Sequence, residues 1–178
     1  MQIPTAFSSP ILLERISQLA ETTQRGTVLK HFENALYALN YHLEKIIPKG
    51  GIICAIYPKT ILQTILPSIA EQKNCKVMLI GGTPEIIKTL KEKGILIEAG
   101  HADIYLTEPD GFNEEGAFVK PQETEVLMNY NTIAIGSIYQ WTDIPPATHD
   151  SVPIEKTITE AGILMPEQLK ESLPLLLN

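Results

Sequence analysis

Apolar residues keep helical spacing over the first fifty positions of this chain and then switch to short unbroken runs. Ile11, Leu12, Ile16, Leu19 and Ala20 recur behind Ser9-Pro10, a cap residue followed by proline at the first helical position. Gly26 is expected to end that helix. A second helix carries Val28, Leu29, Phe32, Leu36, Leu39, Leu43, Ile46 and Ile47 on one face, and Pro48-Lys49-Gly50-Gly51 breaks it.

Residues 52–57 then run apolar without interruption, the pattern of a strand buried on both faces. Pro58 closes the run, and Thr60 is placed to cap a helix carrying Ile61, Leu62, Ile65, Leu66 and Ile69. A strand over 77–80 leads into Gly81-Gly82, with Thr83 and Pro84 opening a helix to about residue 93. Short strands are expected over 95–97 and 103–106, a helix over 121–128 and a buried strand over 132–138. Beyond Pro145-Pro146 only a helix near 166–173 stands out.

Strands alternating with helices predict an α/β fold, a mostly parallel sheet with crossover helices preceded by two N-terminal helices. Residues 1–50 are expected to pack as helices on the same domain as the α/β unit of 51–178. Ligands of such sheets sit beyond the carboxyl ends of the strands, which directs attention to 57–60, 81–83, 108–111 and 139–141.

Composition narrows the function classes. The net charge of −7 and the absence of a Lys/Arg-rich tract argue against a nucleic-acid surface. No apolar run is long enough to cross a bilayer, and no secretory signal is recognisable, so a cytoplasmic protein is expected. Cys54 and Cys75 have no CxxC partner, which fits reduced thiols, and the four histidines show no metal-ligand spacing. No metal or cofactor is expected.

The stretch TEPDGFNEEG, residues 107–116, presents Asp110 just past a strand. Pro-Asp-Gly is a strong turn signal, and the acidic runs 108–115 and 123–125 read most simply as solvated faces. Gly81-Gly82-Thr83 before a helix can bind an anion or serve only as a tight turn and cap. Tyr139 and Trp141 can stack on a ligand ring or form the rim of the core. His31, His42, His101 and His149 read as surface or packing residues.

The succession ADIYLTEPDGFNEEGAFVKPQET resembles one stretch of the initiation factor 2B family. That family joins regulatory subunits of eukaryotic translation initiation factor 2B to isomerases acting on methylthioribose 1-phosphate and ribose 1,5-bisphosphate. Its strand, Gly-Ala-Asp, ENG and NKIGT segments fall on 103–107, Glu108-Pro109-Asp110, Glu114-Glu115-Gly116 and 120–124. IPKGGIICAIYPKTILQTIL, KVMLIGGTPEIIKTLKEKGI and ITEAGILMPEQL resemble three further family segments in the same order, so the likeness covers about residues 43–169.

The resemblance implies a Rossmann-like sheet of the ribose-5-phosphate isomerase kind and a homodimer. It also implies a small phosphorylated ligand at the strand ends, held by Lys59, Gly81, Gly82, Thr83 and Lys120. In the isomerases a cysteine and the Gly-Ala-Asp aspartate are the acid–base pair. Asp110 matches the aspartate, but the cysteine position is Tyr57, and the family's Asn-Lys pair falls on Lys120 and Pro121. The expectation is therefore a shortened, non-catalytic member that oligomerises. The alternative is an aldose–ketose isomerase built on Asp110 and Tyr57.

Overall fold

The computed structural model describes residues 12–14, 16–18 and 25–172. Ser9-Pro10, Ile11, Leu19 and Ala20 lie outside them, as do the side chains of Val28 and Leu29. Residues 12–14 and 16–18 are helical, with Leu12 and Ile16 buried. The next helix, α1 (Arg25–Ile46), includes Gly26, so that glycine does not end a helix as expected. Phe32, Ala35, Leu39 and Leu43 form its buried stripe.

The parallel core follows from the apolar runs. β1 (Ile52–Ile56), α2 (Thr60–Lys73), β2 (Lys76–Ile80) and α3 (Pro84–Glu92) come in the expected order. Residues 95–97 contribute only an isolated bridge, Leu96 against Val77, rather than a strand. β3 (Ile104–Thr107) pairs with β1 so that Cys54 stands opposite Tyr105.

From there the chain makes structure that short-range patterns did not disclose. Pro-Asp-Gly is not an isolated turn, because Gly111 already opens β4 (Gly111–Asn113), which forms a hairpin with β5 (Gly116–Val119). The Asn113 side-chain oxygen accepts from the N–H groups of Glu115 and Gly116 and closes that hairpin. α4 (Pro121–Leu127) follows, and β6 (Ile133–Ile135) is shorter than the expected 132–138 strand. Its last residues turn instead into a 3₁₀ helix, Ile138–Gln140, capped by the Ser137 hydroxyl.

The tail adds three strands, β7 (Asp150–Val152), β8 (Lys156–Thr159) and β9 (Gly162–Leu164), before the expected helix α5 (Pro166–Ser172). The main sheet has the order β2-β1-β3-β6-β8-β9, parallel throughout except for β9, and β4-β5-β7 form a small antiparallel sheet.

Side-chain alternation sorts the two faces. Ile53, Ala55, Val77 and Leu106 pack with α1, α2 and α3, while Cys54 and Ile56 meet Ala117, Val119, Leu127 and Val152 of the hairpin, α4 and β7. The small sheet thereby lies over the sheet face next to the ends of β1 and β3. That arrangement encloses the loops after those strands.

Candidate functional site

Pro58-Lys59 after β1 and Glu108-Pro109-Asp110 after β3 lie side by side, because β1 and β3 are register neighbours. The Lys59 ammonium is 3.0 Å from Asp110 Oδ1 and 3.8 Å from Glu123 Oε2 at the start of α4. The other Asp110 oxygen, Oδ2, is 2.9 Å from Nε2 of His149, whose Nδ1 is 3.1 Å from the Thr148 hydroxyl. The Asp110 N–H donates to Phe118 O, and the Gln140 side chain donates to the carbonyls of Pro109 and Asp110. The aspartate is thus fixed on both sides.

Its environment decides its charge. Burial alone would raise the Asp110 carboxyl, but the Lys59 charge and contact, then His149, outweigh it and hold the group below its ordinary value. Beside it, Glu108 accepts from Ile61 N–H at 3.1 Å and Leu62 N–H at 2.9 Å. Those are the free amides opening α2, and here burial wins. It pushes Glu108 up to about 7 against the downward pull of the Leu62 and Ile61 bonds and Lys59.

These positions correct the sequence reading of the acidic runs. Glu108, Asp110 and Glu123 are buried, whereas Glu114, Glu115 and Glu125 are exposed as expected. Thr60 is not the cap of α2. Lys59 holds that position without a side-chain cap bond, and Glu108 supplies the acceptor from another loop.

The remaining candidates are distributed around this centre. Tyr57 leaves β1 with φ 47°, a left-handed conformation that costs a non-glycine residue roughly 1–3 kcal/mol. Its ring lies over Gly81, where a Cβ would come within 2.6 Å of it, and its hydroxyl is 3.5 Å from Gln122 O. Gly81 and Gly82 have φ of 74° and 111°, so the pair makes a turn only glycines form easily. Thr83 is the cap residue of α3, but its hydroxyl goes to Gln63 at 3.3 Å. Lys120 is exposed at the start of α4.

Lys59 and Asp110 are therefore in direct contact, and Gly81 and Tyr57 form a second contacting pair. Cys54 is fully buried within β1, and burial pushes its thiol up to about 11. Tyr139 and Trp141 are core residues at 7% exposure each.

His149, Glu108 and Glu123 are the site residues that the sequence reading passed over. The carboxylate in the first turn of α4 was a local signal for Glu123. None existed for the other two, whose partners are distant in sequence. An open cleft of about 780 Å³ runs from Asp110 and His149 along Thr142 and Ile144 to Glu14 and Gln18. Among the described residues no His/Cys/Asp/Glu group could hold a metal ion, and no helix is long and apolar enough to cross a membrane.

No protein-family model matches the sequence, and no curated protein matches it. Solved structures do. eIF2B beta from Chaetomium thermophilum superposes with a TM-score of 0.69 at 15% identity, over 84% of this chain and 56% of that one. The chain has the eIF2B fold. The tetrameric eIF2B-beta2-delta2 complex from C. thermophilum gives 0.68 at 15% identity over 93% of this chain and 74% of that chain. Translation initiation factor eIF-2B of Pyrococcus horikoshii OT3 gives 0.65 at 16% identity, over 81% and 69%. This chain thus spans little more than half the length of eIF2B beta.

Proposed function

We propose that this chain is a non-catalytic, oligomerising domain with the eIF2B fold, in which the strand-end aspartate has a structural role. The observation that carries the reading is the engagement of both Asp110 oxygens, with Lys59 at 3.0 Å and His149 at 2.9 Å. A proton-transferring carboxylate needs one oxygen presented to substrate and a partner poised to exchange protons. Cys54, the nearest thiol in sequence, is sealed in the sheet core, and the Tyr57 hydroxyl is next to a carbonyl of α4.

The proposal includes a homo-oligomer, cytoplasmic location and residues 1–50 packed with 51–178 as one domain. Oligomer formation draws support from the beta2-delta2 structure, a tetrameric complex. A small phosphorylated ligand at the strand ends completes the proposal, with Lys59, Gly81, Gly82, Thr83 and Lys120 as its candidate contacts. Purified protein incubated with pentose phosphates tests the first part, with no ketose expected. Light scattering tests the oligomer, and thermal shift with sugar phosphates tests the ligand.

A second reading, an aldose–ketose isomerase, draws on the imidazole beside Asp110 at the mouth of the cleft. His149 with Asp110 would then take the acid–base work assigned to Tyr57 and Asp110 from the sequence. Ketose formation abolished by Asp110→Asn would establish it.

A further inference from the structure

Opposite its buried stripe, α1 presents a second row of side chains. Phe32, Ala35, Leu39 and Leu43 enter the main core. Glu33, Tyr37, Tyr41 and Lys45 repeat at every fourth residue and are all exposed, Tyr37 at 79% and Tyr41 at 56%. Single exposed apolar residues are ordinary, but two tyrosines on consecutive turns of one row make a patch. An open groove of about 580 Å³ adjoins it, with Leu36, Tyr37 and Asn40 of α1 on one side and Thr64 and Ser68 of α2 on the other.

The order of side chains along this row is self-complementary. An acid stands at one end, a base at the other and the tyrosines between them, symmetric about the level of Leu39. When two copies of α1 cross antiparallel about a two-fold axis at that level, Glu33 of each faces Lys45 of the other, and Tyr37 faces Tyr41. A parallel pairing sets Glu33 against Glu33 and Lys45 against Lys45, which repel. Among the described residues neither Glu33 nor Lys45 forms a salt bridge, whereas Glu44 on the neighbouring row is paired with Lys73. The Lys45 ammonium lies 4.0 Å from the centre of the Tyr41 ring, which keeps its charge on the row. Residues four apart form the ridges that interlock in the commonest class of helix packing, and a two-fold contact requires a surface that complements itself.

We propose that the Glu33–Tyr37–Tyr41–Lys45 row is a two-fold interface for a second copy of this chain. Two α1 helices pack antiparallel there, and Tyr41 of each copy enters the groove beside Tyr37 of the other. This deepens the oligomer reading and rests on it, because it names the surface that joins the copies.

Light scattering of the full chain over a dilution series tests this with a charge-reversal cycle. Lys45→Glu and Glu33→Lys each set like charges face to face, and each is expected to weaken self-association about tenfold. The double variant, Glu33→Lys with Lys45→Glu, exchanges the partners and is expected to restore it. Tyr37→Ala is expected to weaken association about tenfold or more. Its circular dichroism is expected to match that of the unaltered chain, because the side chain is exposed.

An assembly whose mass none of these variants lowers overturns the α1 interface and leaves the oligomer reading standing. An unaltered chain that stays monomeric throughout the series overturns both. Dissociation by both single variants without recovery in the double overturns the antiparallel pairing.

Discussion

Lys59 and Asp110 meet at 3.0 Å across the ends of β1 and β3, two strands brought together only by the parallel sheet. The pair ties the start of α2 to the entrance of the β4–β5 hairpin, and His149 extends it to the loop before β7. Asp110→Asn leaves Lys59 without its closest counter-charge. Urea denaturation is expected to show a loss of about 2 kcal/mol, less than the ~3–5 kcal/mol for breaking a fully buried pair because the Lys59 side chain is one-quarter exposed. A double cycle with Lys59→Met is expected to be non-additive, and additive losses would show that the pair is not coupled.

Glu108 and Asp110 set opposite limbs of the pH profile. With Glu108 pushed up to about 7 by burial, the folded chain holds a proton that the unfolded chain releases near 4.5. Stability therefore falls as pH rises from about 4.5 to about 7, by about 3 kcal/mol in all. Asp110 lies below its ordinary value, so its contribution is present above that value and is lost as pH falls through the folded one. Unfolding measured from pH 3 to 8 is expected to peak near pH 5, and Glu108→Gln is expected to flatten the upper limb. A profile that rises steadily to pH 8 would contradict the buried-acid account.

Gly81 carries both a left-handed φ of 74° and the Tyr57 ring. Gly81→Ala is expected to destabilise by about 2 kcal/mol, combining backbone strain with the clash at 2.6 Å. Pairing it with Tyr57→Ala relieves the clash and leaves the strain, so the double variant loses less than the sum. Thermal unfolding of the four proteins checks this.

Cys54 and Cys75 are both buried, and neither is in a disulfide. With its thiol pushed up to about 11, Cys54 is expected to resist thiol reagents in the folded protein at pH 8 and to react at once in denaturant. Rapid labelling of native Cys54 would place it outside the sheet core.

The parallel core was legible because its strands are buried on both faces and its helices keep one apolar stripe. Residues 52–56 show this directly, with Ile53 to Ile56 all buried, whereas the edge strand 76–80 was legible from its apolar run although it buries only Val77. β4, β7 and β9 were not legible, since three residues are too few for a period to emerge. The acidic loop misled for a different reason. Nothing in TEPDGFNEEG distinguishes Glu108 and Asp110, which are buried, from Glu114 and Glu115, which are exposed. Burial follows from partners that only the fold supplies: the amides of Ile61 and Leu62, Lys59 and His149. The order of motifs gave the position of Asp110, and the structure gave the company it keeps.

The central claim is that Asp110 serves the fold rather than a reaction, and ketose formation measures it most directly. Purified chain incubated with ribose 1,5-bisphosphate, methylthioribose 1-phosphate and ribose 5-phosphate is expected to yield no ketose above the protein-free control. Turnover of any one of them, abolished by Asp110→Asn in a variant that remains folded, would contradict the account.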